Sequence, residues 1–151
     1  MLSKKTKYAI NALVHLAKEP PKQPVLISDI SEKQHIPKKF LEAILLELKK
    51  HGILKSKKGK GGGYSLSKPP SEIEMGQIIR ILSGPLAPVA CVSQTAYRKC
   101  DECRDENCCG IRIVMKEVRD AIANILDKTS LEDVIQKTES KNLAMNLNYH
   151  I

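Results

Sequence analysis

The chain has 151 residues, of which 42% are hydrophobic and 28% charged; this suits one ordinary domain with or without a small appendage and excludes disordered, collagen-like and coiled-rod proteins. With no Trp, one Phe and four Tyr, it lacks the stacking side chains typical of sugar-binding and single-strand nucleic-acid sites. The net charge of +8 is unevenly distributed: residues 1–68 contain 15 basic and 5 acidic side chains, and residues 69–151 contain 10 basic and 12 acidic ones. Either the first half binds a polyanion, or its surface is simply rich in Lys.

Three amphipathic helices are predicted before residue 52. Residues 6–18 carry apolar side chains at helical spacing, and Ser28 is the expected N-cap of a short helix that runs towards His35. Residues 37–51 predict a third helix, which ends where Gly52 provides a left-handed cap. The apolar face predicted for this third helix consists of Phe40, Leu41, Ile44, Leu45 and Leu48.

A β-hairpin is predicted next. Residues 53–57 and 64–67 alternate in polarity and enclose a loop of Lys and Gly at 58–63. Three helices followed by a hairpin is the winged helix-turn-helix arrangement, in which the third helix and the hairpin loop meet DNA. We therefore predict a mainly α fold with a small β-hairpin wing.

The rest of the chain predicts a short helix at 75–82, a cysteine-rich loop and a long helix. Apolar residues repeat along that helix at near-heptad spacing and predict a two-fold dimer, with packing on the chain's own domain as the alternative. The predicted interface residues are Ile111, Val114, Val118, Ile122 and Ile125, with Ala121 as an alternative to Ile122. Ser130 and Asp133 predict the cap of a last short helix.

We expect four parts: a DNA-binding winged helix-turn-helix at 1–68, a connecting helix and sensor loop at 69–110, a dimerisation helix and short terminal helix at 111–136, and a polar tail at 137–151. No apolar run approaches the length of a membrane span, so we expect a cytoplasmic protein without a membrane partner.

The expected partner is double-stranded DNA with a pseudo-palindromic site. A basic helix can enter the major groove while a cationic loop reaches the backbone or the minor groove. Lysines on a glycine-rich loop repel one another, which destabilises the loop. Binding to a polyanion would explain why the loop nevertheless contains them. The predicted DNA-binding residues are Tyr8, Ser28, Lys38, Lys39, Glu42, Lys57, Lys58, Gly59, Lys60 and Gly61.

Five cysteines lie within 19 residues, in the pattern Cys91-x8-Cys100-x2-Cys103-x4-Cys108-Cys109. An odd number of cysteines without an export signal does not suit a disulfide framework, so metal or redox chemistry is favoured. An iron–sulfur cluster, a zinc site and an oxidisable switch all remain open. The predicted ligands are Cys91, Cys100, Cys103 and Cys109, and we expect Cys108 to be a spectator because adjacent cysteines bind one metal poorly.

Several short segments resemble the Rrf2 family of winged-helix regulators, of the IscR, NsrR, RirA and CymR type. The likeness covers about residues 1–136 and lies in the cysteine cluster before a long helix and in Lys7-Tyr8-Ala9, Asp29-Ile30-Ser31-Glu32, Phe40-Leu41-Glu42 and Lys58-Gly59-Lys60-Gly61-Gly62-Gly63-Tyr64. It implies a homodimeric bacterial transcription regulator, usually a repressor, whose DNA affinity follows an iron–sulfur cluster held by three cysteines.

The resemblance also implies roles for single residues. Cys91 matches the first ligand and Cys109 the third, while Cys100 or Cys103 fills the middle place and an extra cysteine serves as the fourth. Some relatives have a ligating His or Asp where this chain has Arg112 or Lys7. The cluster type is therefore open between [2Fe–2S] and [4Fe–4S]. Lys58 matches a minor-groove residue of the wing, and Glu42 matches a base-reading glutamate.

Three alternatives remain on sequence alone. The first is a winged-helix regulator without a cluster, switched by thiol oxidation, zinc or a partner protein. The second is an enzyme with Cys100-x-x-Cys103 as a redox dithiol, although the strand and helix that usually frame this motif are lacking. The third is a zinc-stabilised adaptor that binds protein.

Overall fold

The computed structural model describes residues 2–148, which contain six α-helices and one two-stranded antiparallel sheet. These elements are α1 (Lys4–Lys18), α2 (Ile27–Gln34), α3 (Lys38–Lys50), β1 (Leu54–Lys57), β2 (Gly63–Leu66), α4 (Met75–Ser83), α5 (Gly110–Leu126) and α6 (Leu131–Asn148), with short 3-10 turns at Pro70–Glu72 and Ala90–Val92. The predicted mainly α fold with a hairpin wing is confirmed. Within the described residues, no helix has the length and apolar character needed to cross a membrane.

The core lies where α1, α2 and α3 meet. Leu13 of α1, Ile30 of α2 and Ile44 of α3 are completely buried in it. The α1 helix begins at Lys4 because the Ser3 hydroxyl accepts a hydrogen bond from the backbone N–H of Thr6 at 3.1 Å. Burial of these large aliphatic side chains, at roughly 1.5–3 kcal/mol each, stabilises the three-helix unit.

The same core continues beyond residue 68. Ile73, Ile78 of α4 and Leu131 of α6 are completely buried in the cluster that contains Leu13 and Ile44. The helix that we expect to connect two parts of the chain is therefore also a packing element of the winged helix.

The wing is anchored to the loop before α2. Its two strands pair from Leu54 with Leu66 to Lys57 with Gly63. Val25 and Tyr64 exchange two backbone hydrogen bonds of 2.8 Å, which attach the hairpin to the helical part. Gly63 has a φ of +138°, and a Cβ there would come within 2.2 Å of the Val25 carbonyl oxygen. Only glycine permits this close approach.

A bidentate ion pair fixes the corner between α4 and the end of α5. Arg80 donates hydrogen bonds of 2.6 and 2.9 Å to the two carboxylate oxygens of Asp127. Next to it, the backbone N–H of Met75 donates to the Thr129 carbonyl, and the N–H of Leu131 donates to the Ile73 carbonyl. The start of α6 is thereby tied to the winged helix.

The prediction of a short last helix followed by a polar tail from residue 137 was wrong for the described residues. The predicted cap is present, since the Ser130 hydroxyl accepts from the Asp133 N–H at 3.1 Å and Asp133 accepts from the Ser130 N–H at 2.7 Å. From this cap, however, α6 continues to Asn148. Residues 149–151 of the predicted tail lie outside the described residues.

Candidate nucleic-acid interface and cysteine loop

The turn between α2 and α3 sets the direction of α3. His35 adopts the left-handed conformation with a φ of +53°. The backbone N–H of Ile36 donates to the Ser31 carbonyl at 3.0 Å, and the Ser31 hydroxyl donates to the Ile36 carbonyl at 2.6 Å. These two bonds close a short turn, which is the geometry of a helix-turn-helix.

One side of α3 is buried and the other carries charge. Leu41, Ile44, Leu45 and Leu48 are completely buried. The exposed side has Lys38 and Lys39 in the first turn and Glu42 one turn further on. Because the first turn of a recognition helix approaches base edges and phosphates, these three side chains are available to DNA.

The wing projects three exposed lysines. Lys57 ends β1, and Lys58 and Lys60 lie in the loop, where Gly59 and Gly61 have φ values of +87° and +72°. Within residues 2–148, the ion pairs of lysine involve Lys5, Lys18 and Lys33 and none of the wing or Lys38–Lys39 side chains. The cationic groups of this surface are therefore free to meet an anion.

Two residues of this surface lie differently from their prediction. Ser28 is exposed but does not cap α2, because the helix starts two residues earlier than that cap requires and its N-cap is Leu26, without a side-chain bond. Val25, the residue before this N-cap, pairs with Tyr64 of the wing. This pairing sets the direction in which the chain enters α2. Phe40, predicted on the buried face of α3, is 42% exposed, and its ring packs on the half-buried ring of Tyr8.

The cysteine loop forms a cavity of about 480 Å³ beside the start of α5. Its lining contains Cys91, Cys100, Cys103 and Cys109, whereas Cys108 is exposed and does not line it. Cys91 lies in the 3-10 turn, and Cys109 is the N-cap residue of α5. The structure thus brings the four predicted ligands to one cavity and leaves the predicted spectator outside it.

The thiols of this cavity influence one another. Desolvation, the Cys109 thiol that hydrogen-bonds to it, and the nearby Cys100 raise the pKa of Cys103. These neighbours therefore favour the neutral form of the Cys103 thiol. Arg112 also lines the cavity, and its buried Nε has no hydrogen-bond partner among the described residues. The guanidinium charge of Arg112 on the wall of this cavity favours an anionic sulfur group there.

The donor set fits a sulfur-ligated metal group. Thiolates are the ligands of iron–sulfur clusters and of structural zinc, and no histidine lines the cavity. In the described chain, no three side chains among His, Cys, Asp and Glu already stand close enough together to hold a metal ion. The loop would therefore have to close around a metal group that binds there.

The predicted apolar stripe of α5 is uncovered. Ile111 is 70% exposed and Ile125 is 63% exposed, and Val114 and Val118 between them are exposed as well. Ile122 differs from the others, because it is half-buried and lines a groove with Ile79 and Pro85 of its own chain. At this level of the helix Ala121, which is exposed, continues the stripe instead.

The other side of α5 contacts the cysteine loop. Arg119 donates a hydrogen bond of 2.6 Å to the carbonyl oxygen of Val92, the residue after Cys91. The side chain of Arg119 is only 13% exposed, and it also pairs with Asp120. Cys91 is therefore connected to α5 through the Arg119–Val92 hydrogen bond, and Cys109 is connected to it as its N-cap residue.

Comparison with known proteins identifies relatives over almost the whole chain. Residues 2–137 match the family model Rrf2, described as an iron-dependent transcriptional regulator. An rrf2-like HTH-type transcriptional regulator of Rhodobacter capsulatus is 41% identical over 138 residues, which cover 89% of this chain and 92% of the relative. These matches are to transcription regulators and not to enzymes.

Solved structures of regulators have the same fold. CymR, the global cysteine regulator of Bacillus subtilis, superposes with a TM-score of 0.74 at 30% identity, covering 91% of this chain and 97% of CymR. IscR of T. potens gives a TM-score of 0.73 at 28% identity, covering 93% of this chain and 90% of IscR.

Proposed function

The chain belongs to the Rrf2 family of DNA-binding transcription regulators, and we propose that it is a homodimeric repressor that senses iron–sulfur status, redox state or nitric oxide through a cysteine-ligated cluster. The observation that carries this proposal is the gathering of Cys91, Cys100, Cys103 and Cys109 around one cavity at the start of α5. In this proposal residues 1–68 bind DNA, the loop within 69–110 senses, and 111–136 dimerise.

The DNA-binding part of the proposal uses α3 and the wing. Lys38 and Lys39 contact phosphates or guanine edges, and Glu42 accepts a hydrogen bond from a cytosine amino group in the major groove. Lys58 and the other wing lysines reach the backbone or the minor groove. Because an uncovered α5 stripe pairs with its copy about a two-fold axis, two such surfaces would bind the two halves of a pseudo-palindrome.

The sensing part uses the residues around the cavity. Cys91, Cys100, Cys103 and Cys109 would hold the cluster, which when bound supplies one-electron redox chemistry and reactivity towards small oxidants. Arg112 places a positive charge beside the anionic sulfurs. Arg119 holds the backbone next to Cys91, so that a change of the loop shifts α5 and with it the spacing of the two DNA-binding surfaces.

A second candidate is a regulator without a cluster, in which the cysteines are oxidised or bind zinc. It is favoured by the nearness of Cys109 to Cys103, whose pKa the Cys109 thiol raises. The structural likeness to CymR, a cysteine regulator, supports the same candidate.

Anaerobic purification distinguishes these candidates. Visible absorption, iron and acid-labile sulfide should be measured on the wild type, on Cys91→Ala and Cys109→Ala, and on Cys108→Ala as the matched control outside the cavity. A coloured wild type with equal iron and sulfide, colourless first two variants and a coloured control support the cluster. A wild type that stays colourless after supply of iron and sulfide contradicts the cluster and favours the zinc or thiol switch.

A further inference from the structure

Apolar side chains interrupt the charged outer side of α3. Phe40 is 42% exposed and Leu46 is 47% exposed, and Ala43 lies exposed between them. The N-terminal residues of a recognition helix come closest to the base edges. Phe40 and Ala43 therefore lie nearer to the bases of bound DNA than Leu46, which follows almost two turns after Phe40.

The ring of Phe40 packs against helix α1. The ring of Tyr8 in α1 meets it edge-on, with centroids 5.7 Å apart and planes at 85°. An edge-to-face pair of this kind is attractive beyond the area it buries, which favours one orientation of the ring. Lys5 and Glu47 form an ion pair that joins the same two helices. The unpacked part of the Phe40 ring is thus a fixed apolar surface beside Lys38 and Lys39.

We propose that Phe40 contacts the C5-methyl group of a thymine in the major groove and so adds a thymine preference to each half-site. This inference rests on the proposed function, because it requires α3 to lie in the major groove. Phe40 has no group that can hydrogen-bond to a base edge, and the thymine methyl is the apolar group that the major groove presents. Tyr8 acts as a positioning residue for the ring.

Stacking on a base does not explain the position of Phe40. In duplex DNA the base faces are covered by neighbouring bases, so a ring at the groove floor meets edges and methyl groups instead. The neighbouring lysines bind phosphates or guanine, which fixes the register of the helix but gives no information about thymine. An apolar contact is what this part of the surface can add.

Replacement of thymine by deoxyuridine tests the proposal, because it removes only the methyl group. A duplex site is first selected in vitro with the wild-type protein, and each thymine pair related by the two-fold axis is then replaced. At one such position the Kd should rise about fourfold per half-site, the value expected for one buried methyl group. Phe40→Ala should bind the thymine site more weakly and should no longer distinguish thymine from deoxyuridine.

Two further variants make the test specific. Phe40→Leu keeps an apolar side chain and should retain part of the discrimination, and it serves if Phe40→Ala does not fold. Leu46→Ala, a matched loss of an exposed apolar group on the same helix, should retain all of it. The inference is wrong if the wild type tolerates deoxyuridine at every position, or if Phe40→Ala discriminates as well as the wild type. A wild type that selects no duplex at all contradicts the proposed function itself.

Discussion

His15 is a partly buried histidine of α1, in the DNA-binding part. Its side chain is 10% exposed, its Nε2 has no hydrogen-bond partner among the described residues, and Glu19 lies 3.8 Å away. Burial and the charge of Lys33 lower its pKa below 6.5, and Glu19 and Asp29 offset this only in part. The folded protein therefore prefers the neutral imidazole.

We predict that His15 makes the fold less stable in mild acid. Since its pKa is lower in the folded than in the unfolded chain, the unfolded chain binds more protons between those two values, and the free energy of unfolding falls as the pH drops below about 6.5. Urea denaturation between about pH 7 and pH 5 should show a smaller decrease for His15→Gln than for the wild type. Equal decreases in both proteins would contradict the prediction.

Single residues also show where sequence reasoning stops. The spacing of Leu41, Ile44, Leu45 and Leu48 correctly predicted the buried face of α3, because burial imposes the helical period on aliphatic residues. By its spacing, Phe40 belongs at the edge of the same face, and only the position of α1 shows that its side chain is exposed. The exposure of a residue at the edge of an apolar face depends on which neighbouring helix covers it, and the pattern of one helix does not contain this information.

At the scale of elements, the corner between α4 and α5 depends on a glycine. A Cβ on Gly76 would lie 1.9 Å from Oδ1 of Asp127 and 2.9 Å from Nη1 of Arg80. Gly76 is the second residue of α4, where alanine is otherwise favoured over glycine by up to the roughly 0.8–1.0 kcal/mol of a helix interior. Glycine is kept here against that preference, because any side chain would separate the ion pair.

We predict that the effect of Gly76→Ala depends on Asp127. In the wild-type background the substitution should lower the free energy of unfolding by up to about 1 kcal/mol, because the new Cβ displaces the Asp127 carboxylate and breaks the partly exposed Arg80–Asp127 pair. In an Asp127→Ala background it should be neutral or stabilising, because the clash is gone and the helix preference remains. Chemical denaturation of the four proteins of this double-mutant cycle measures the coupling. Additive effects would show that Asp127 is not the obstacle.

The last two helices were predicted unequally well for a physical reason. The α5 stripe was visible because one side of the helix is consistently apolar, although the choice between Ala121 and Ile122 required the structure. Helix α6 was underestimated because residues 136–146 are exposed and show no periodic apolar face. Local interactions maintain it instead, including the capping pair at Ser130 and residues of good helix propensity.

At the scale of the whole molecule, the α5 stripe should decide the oligomeric state. Val118 lies in the middle of the exposed apolar residues. We predict that Val118→Asp weakens the dimer by about a hundredfold or more, because each buried uncompensated carboxylate costs about 3–5 kcal/mol. Sedimentation equilibrium measures this constant. The control Lys116→Gln, with the same change in net charge on the opposite side of the helix, should remain dimeric; dissociation of both variants would show that the stripe is not the interface.

The charge of the chain is concentrated where the fold exposes α3 and the wing, so DNA affinity should depend steeply on salt. The slope of log affinity against log salt concentration is negative, and its magnitude falls by about 0.9 for each phosphate contact that is lost. A triple replacement of Lys57, Lys58 and Lys60 by Ala removes up to six contacts from a dimer and should reduce the slope by up to about 5. Fluorescence anisotropy over a salt series measures this slope.

Replacement of Lys128, Lys137 and Lys141, which lie after α5 and along α6, changes the net charge equally and should leave the slope nearly unchanged. If both triple variants lower the slope equally, the wing acts only through the overall charge of the molecule and not through direct contacts with phosphates.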